Sequence, residues 1–338
     1  MKSLVTGANG FLGSRLVERL LETTDDTVAC LVRPGSNDTK LSALEQRFPD
    51  RIERLTGTLS NTKDCEELVQ WQPDTLYHLA AGVTGPAVEL FLNGSVATRN
   101  LLDAVVASEH TPLLVYCSSF GVYHTATLES GSLIDESSAL EPNPEQRDLY
   151  SFAKLHQEQL VQKYREEHQI PTVIVRPGVI YGPGGPAISS RVGLNVFGIF
   201  LFAGGNNALP LTFVSNCADG FIRIANSPEP AGRVFNIVDD DLPTAREFLR
   251  QYRRRVKKVL SLPVPPFLMK MLASAINGYS RWSKGQLPAI LTPYKAASIW
   301  KTTQFSNAEL KSTGWQPEVS TSQGLEGHFS YLANSKNS

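Results

Sequence analysis

Tyr150 and Lys154 stand four residues apart in the run Tyr150-Ser151-Phe152-Ala153-Lys154. On a helix that spacing puts both on one face, one turn apart. A tyrosine titrates near pH 10, so only about 0.1% is phenolate at pH 7. Acting as a base there needs a downward shift of about 3 units, roughly 4 kcal/mol. One ammonium at about 4 Å in an effective dielectric of about 20 supplies roughly that amount. The spacing therefore predicts a phenol made usable as a proton donor or acceptor by its lysine neighbour. Ser118 and Ser119 directly follow the apolar run Leu113–Cys117. Ligands of parallel sheets bind beyond the carboxyl ends of strands, where a hydroxyl can donate to a substrate oxygen. The bland alternatives are a chance YxxxK and a serine pair that only ends a strand.

A second constellation lies at the start of the chain, in Thr6-Gly7-Ala8-Asn9-Gly10-Phe11-Leu12-Gly13. Gly7 permits a tight turn, Gly10 lets the backbone approach a pyrophosphate, and Gly13 lets a helix pack closely on a sheet. The helix N-terminus adds free N–H groups and a positive dipole end. The pattern predicts a dinucleotide site. The next strand ends Leu31-Val32-Arg33-Pro34-Gly35-Ser36, with no carboxylate at its tip. An NAD enzyme usually offers an acidic residue there for the ribose 2′-OH. Arg33 suits a 2′-phosphate instead, so NADP is expected over NAD. The competing reading of Arg33 is a surface arginine.

These residues need a scaffold, and the apolar runs outline one. Strands are expected at Lys2–Thr6, Thr27–Val32, Ile52–Thr56, Thr75–Leu79, Leu113–Cys117 and Thr172–Arg176. Helical patterns fill Phe11–Glu22, Leu92–Ser108 and Tyr150–His168. Continuous apolar strands alternating with helices predict an α/β fold, a Rossmann-type doubly wound parallel sheet. After Pro177 glycine and proline increase, and 177–210 reads as loops with short helices. Arg233–Val238 looks like one more strand of the main sheet. The expected division is a dinucleotide-binding domain over 1–180, with a returning strand near 231–239. A smaller, discontinuous substrate lobe would cover 181–230 and 240–333.

Composition excludes other classes. The 338 residues are 41% hydrophobic and carry a formal net charge of −1, which argues against nucleic acid as a partner. Cys30, Cys65, Cys117 and Cys217 have neither zinc nor disulfide spacing, so no metal is expected. Met1–Thr6 runs straight into the glycine turn and reads as a strand, not a secretory signal. No run approaches the 18 or more apolar residues of a membrane span. A cytoplasmic setting is the expectation.

Taken together, the chain resembles the extended short-chain dehydrogenase/reductases, the NAD-dependent epimerase/dehydratase superfamily. The resemblance runs over about residues 1–325. It rests on TGANGFLG at 6–13, DTLYHLAA at 74–81, the Ser-Ser-x-x-Val-Tyr run at 118–123, and YSFAK at 150–154. It continues through RPGVIYGPG at 176–184 and VSNCAD at 214–219, with late echoes at 235–237, 305–307 and 314–317. It implies that Tyr150 exchanges a proton with the substrate, that Lys154 depresses its pKa and holds the nicotinamide ribose, and that Ser119 bonds the reacting oxygen. Ser118 would be supportive. His78, Leu79, Ala80 and Ala81 would line the cofactor, and Pro177 and Val179 would meet the nicotinamide end.

Three departures narrow the chemistry that the resemblance implies. Phe120 and Gly121 stand where sugar-nucleotide dehydratases carry an acidic pair, so water elimination lacks its acid and base. Leu211 stands where many sugar-nucleotide epimerases carry a phosphate-binding arginine. Thr58 replaces the usual aspartate of a Gly-Asp-Leu run. The runs at 31–36 and 214–219 look closer to dihydroflavonol reductases and 3β-hydroxysteroid dehydrogenases. The expected activity is interconversion of a ketone and a secondary alcohol on a small-molecule substrate. The alternatives are a nucleotide-sugar 4-epimerase with tightly held NAD and a non-catalytic dinucleotide sensor.

Other features have plainer readings. The basic run Arg250–Lys258 precedes the apolar Leu260–Ile276. The segment 250–276 suits weak contact with a membrane surface, or simply a helix packed on the lobe. By resemblance, helices near 92–108 and 150–168 form a homodimer interface. Leu101, Leu102, Val105 and Leu160 offer apolar surface there, unless the core claims them. His124 is expected in a solvent-exposed loop, and His110, His156, His168 and His328 in polar surroundings.

Overall fold

The structure is a computed structural model that describes residues 1–83, 85–189, 191–196, 199–282, 294, 297 and 303–335. Its first half runs β1 (Lys2–Thr6), α1 (Phe11–Thr23), β2 (Thr27–Val32), α2 (Thr39–Arg47), β3 (Ile52–Thr56), α3 (Thr62–Gln70) and β4 (Thr75–His78). Then come α4 (Ala87–Phe91), a π-helical turn Leu92–Val96, α5 (Ala97–Ala107) and β5 (Leu113–Cys117). After a short strand β6 (Leu133–Ile134) follow α6 (Leu149–His168), β7 (Thr172–Pro177) and β8 (Val179–Tyr181). The remainder holds β9 (Gly193–Val196), β10 (Ile199–Phe202), β11 (Leu211–Phe213), α7 (Val214–Ala225), β12 (Val234–Ile237) and α8 (Ala245–Arg255). Last come β13 (Ser261–Pro263), α9 (Pro266–Trp282), β14 (Gln304–Phe305) and helices Ala308–Ser312 and Thr321–Asn334.

Seven strands form one parallel sheet in the order β12-β7-β5-β4-β1-β2-β3. Strand side chains alternate between two covered faces. Val5 faces the layer built by α1, α2 and α7, whereas Leu4 faces the layer of α3, α5 and α6. The chain steps outward from β1 through β2 to β3, then returns to place β4 on the other side of β1. That reversal opens a crevice at the carboxyl ends of β1 and β4, where ligands of such sheets bind.

The expected strands are present, and the segment before β12 departs from expectation in two ways. The stretch 177–210 holds β8 and the antiparallel pair β9–β10, with no helix among its described residues. The 12-residue α7 falls inside 181–230, yet Cys217, Ala218, Phe221 and Ile224 bury against the sheet beside α1. A separate core joins Tyr181, Phe200, Leu211, Phe213, Phe248 and Phe329. It is built from β8, β10, β11, α8 and the C-terminal helix. Leu101, Leu102, Val105 and Leu160 are claimed by the sheet core and offer no free surface. No helix among the described residues is long and apolar enough to cross a membrane.

Candidate active site

The glycine turn is built as its composition demands. Gly7 has φ +74°, and a Cβ there would lie 3.0 Å from the Ala80 nitrogen and 3.2 Å from the Leu79 carbonyl carbon. The turn after β1 thus rests directly on the segment after β4. At Gly13 a Cβ would sit 2.0 Å from the Gly7 carbonyl oxygen, so only glycine lets α1 start here. The first α1 bond joins Ser14 N–H to the Gly10 oxygen at 3.0 Å. The preceding N–H groups of Phe11, Leu12 and Gly13 precede the helix ladder, and an anion can meet them. Asn9 donates from Nδ2 to Ser36 Oγ at 3.0 Å, and its buried Oδ1 finds no partner among the described residues. A narrow glycine cradle, free helix amides and an orphaned buried acceptor fit a dinucleotide.

Around this cradle, Arg33 is exposed at the end of β2. Asp64 of α3 accepts from Thr58 N–H at 2.7 Å, bringing a carboxylate to the position where Thr58 lacks one. Phe11 reaches across to the loop after β8, where a Cβ on Gly185 would lie 2.7 Å from its ring. Pro177 closes β7 opposite Ile237, and Val179 N–H is taken by the Pro210 oxygen at 2.6 Å.

Ser119, Tyr150 and Lys154 converge at the end of β5. Asp148 caps α6 by accepting from Ser151 N–H at 3.0 Å, which fixes the first turn that carries Tyr150. A hydrogen bond with the Ser119 side chain favours the Tyr150 phenolate, but burial outweighs it and raises the phenol to about 12. Here the expectation fails. Burial raises the phenol instead of leaving it lowered, while Lys154 Nζ donates to the Cys117 oxygen at 2.7 Å and to Gln157 Oε1 at 3.1 Å. Burial lowers the lysine's own pKa. Desolvation penalises a phenolate more than these neighbours favour it.

Gln157 extends this contact into a buried chain. Its Nε2 donates to Thr98 Oγ1 at 2.6 Å; Thr98 meets His78 Nε2 at 2.8 Å, and His78 Nδ1 meets Thr6 Oγ1 at 2.8 Å. Burial and the nearby Lys154 charge lower His78 to about 3, so it is neutral at pH 7. The lysine is thereby linked to the last residue of β1, directly before the glycine turn. Gln157 stands three residues after Lys154, on the same helix face, and that spacing is its only trace in the sequence.

A second buried network is structural. Ser118 donates to Glu158, Glu158 pairs with Arg176 at 2.6 Å, and Arg176 donates to Tyr123 Oη at 3.0 Å. Ser118 is thus committed to α6, while Ser119 also accepts from Gly121 N–H at 3.1 Å. His124 is not a free loop residue. It meets Glu141 at 3.3 Å and Tyr294 Oη at 3.0 Å. His328 is buried and bonds the Gly182 oxygen at 2.8 Å. The four cysteines are buried and unpaired, and the described residues hold no metal-ligating cluster.

Residues 3–238 match the NAD dependent epimerase/dehydratase family, and the chain belongs to it. Among its relatives is a sterol-4-alpha-carboxylate 3-dehydrogenase (decarboxylating) of Candida albicans, 27% identical over 95% of both chains. A UDP-glucose epimerase of Bacillus subtilis, itself uncharacterised, is 30% identical over 70% of this chain and 76% of its own. The fold is shared with the NAD complex of UDP-glucuronic acid 4-epimerase from Bacillus cereus, at TM-score 0.72, 22% identity and 99% coverage of each chain.

Proposed function

We propose that this enzyme interconverts a ketone and a secondary alcohol, with Tyr150 exchanging the proton. The observation that carries the reading is the placing of the buried Tyr150 phenol within the influence of the Ser119 hydroxyl at the end of β5, with Lys154 anchored alongside. The nicotinamide cofactor of this family, when bound, accepts or supplies the hydride. Gly7, Gly10, Gly13 and the amides of Phe11 and Leu12 would hold its pyrophosphate, with Leu79, Ala80 and Ala81 beneath it. Burial keeps the phenol protonated at neutral pH, so Tyr150 is best prepared to donate to a carbonyl oxygen, which favours reduction. Ser119 would donate to the same oxygen. Removing the phenol oxygen should cost about 10²–10⁴-fold in turnover. Tyr150→Phe, assayed with candidate ketones by nicotinamide absorbance, tests this, and wild-type turnover would refute it.

The substrate is proposed to be less polar than a nucleotide sugar. Support comes from Phe120 and Gly121, which supply no acid or base for water elimination, and from Leu211, which cannot hold a diphosphate. A relative named for a sterol carboxylate agrees with this. The second lobe, built around β8–β11, α8 and the C-terminal helix, would enclose that substrate. NADP preference over NAD is inferred from exposed Arg33 and the lack of a carboxylate at the tip of β2. The 4-epimerase reading is supported by the 30% identity to a UDP-glucose epimerase. NAD(H) retained through purification would favour it. A homodimer is proposed through Val88, Leu92 and Val96, exposed at helical spacing along α4 and the following turn. A cytoplasmic setting accords with the buried, unpaired cysteines.

A further inference from the structure

We infer that β13 and α9, with the basic end of α8, form a docking surface for the anionic face of a phospholipid bilayer. Between Glu247 and Glu309 the chain has no Asp or Glu and eleven Lys or Arg, although its overall charge is only −1. The positive charge is therefore concentrated in this one stretch. α8 turns Phe248, Leu249 and Tyr252 inward, which leaves Arg254, Arg255, Lys257 and Lys258 exposed beyond them. Arg253 clamps the turn by donating from Nε and Nη2 to the Val259 oxygen at 3.1 and 2.9 Å. That bond sets the cationic end of α8 directly beside Leu260.

From Leu260 onward the surface becomes apolar. Leu260 is 68% exposed, Phe267 67%, Met271 63% and Trp282 78%. Leu262 and Tyr279 are exposed as well. Among the described residues of α9, Met269 and Ala273 pack with Ala203 and Val264. Phe267 and Met271 are four apart and share a helix face on the outer side. Large apolar side chains gathered in one patch mark an interaction surface. Among the described residues no helix is long and apolar enough to cross a bilayer, so α9 would lie in the interface plane. The Tyr279 and Trp282 rings, 5.6 Å apart, suit the headgroup boundary. A protein partner would be expected to meet mixed charge. A stretch with cations and no acids complements an anionic lipid surface.

The test is cosedimentation of the full chain with vesicles of phosphatidylcholine, alone or with phosphatidylserine, at low and high salt. Binding to the phosphatidylserine vesicles at low salt is expected, and high salt or pure phosphatidylcholine should weaken it by about tenfold or more. Met271→Glu should weaken it similarly, and Arg254→Glu with Lys257→Glu should do so without moving the melting temperature. No binding at low salt overturns the proposal, as does binding that Met271→Glu leaves intact. So does light scattering in which Met271→Glu dissociates an oligomer, because the face would then belong to a second copy of this chain.

Discussion

Lys154 Nζ lies 2.7 Å from the main-chain oxygen of Cys117, so α6 is tethered to the last residue of β5 by a buried ammonium. The same nitrogen reaches Gln157 Oε1 at 3.1 Å. Its two anchors lie on the strand and on its own helix, and neither is the phenol it was expected to serve.

Gln157 therefore holds the lysine in place. In Gln157→Leu the buried lysine loses an acceptor for its Nζ, so its pKa, already lowered by burial, falls further. The alkaline loss of kcat should move to lower pH. Gln157→Glu should move it upward. Coincident pH profiles for all three proteins would show that Gln157 only fills space.

Gly13 tolerates no side chain, because its Cβ would meet a carbonyl oxygen 2.0 Å away. Gly13→Ala should weaken dinucleotide binding by at least about tenfold, about 1.4 kcal/mol. Quenching of nicotinamide fluorescence measures it. Gly278→Ala, where nothing lies within 4 Å of the added Cβ, is the control and should bind normally.

Arg33 should set the choice between the two dinucleotides. A hydrogen bond to a charged group is worth about 1.5–3 kcal/mol, or about 10–150-fold. Arg33→Ser should lower kcat/KM for NADPH by that factor and change the value for NADH little. An unchanged ratio would make Arg33 an ordinary surface residue.

His78 makes the fold acid-sensitive. Its native value of about 3 lies below the ordinary 6.5, so the unfolded chain binds the extra proton between those limits. Stability is complete above about pH 6.5 and falls as pH drops toward 3, by up to about 1.4 kcal/mol per pH unit. Urea midpoints at pH 7 and pH 5 should therefore differ less in His78→Gln than in the unaltered protein.

The sequence displayed the parallel sheet plainly because β1, β2, β5 and β7 are almost wholly buried and each has an apolar centre. β8, β9 and β10 have three or four residues each, too few for periodicity to separate strand from loop. α7 carried a readable stripe in Cys217, Phe221 and Ile224, hidden by the glycine-rich context before it. The approach of Tyr150 to Ser119 was visible from motif order. The buried chain was not, because Thr98 lies 59 residues from Gln157 and only the folded packing of α5 on α6 joins them.

The pairing of β12 with β7 has a consequence for synthesis. β7 ends at Pro177, but its outer neighbour spans Val234–Ile237, after some sixty intervening residues. As the chain leaves the ribosome, β7 therefore presents bare hydrogen-bonding groups until that later strand emerges. A product truncated before Val234 would keep the dinucleotide turn and the Tyr150 helix, yet carry an unsealed sheet edge ready to pair with another nascent chain.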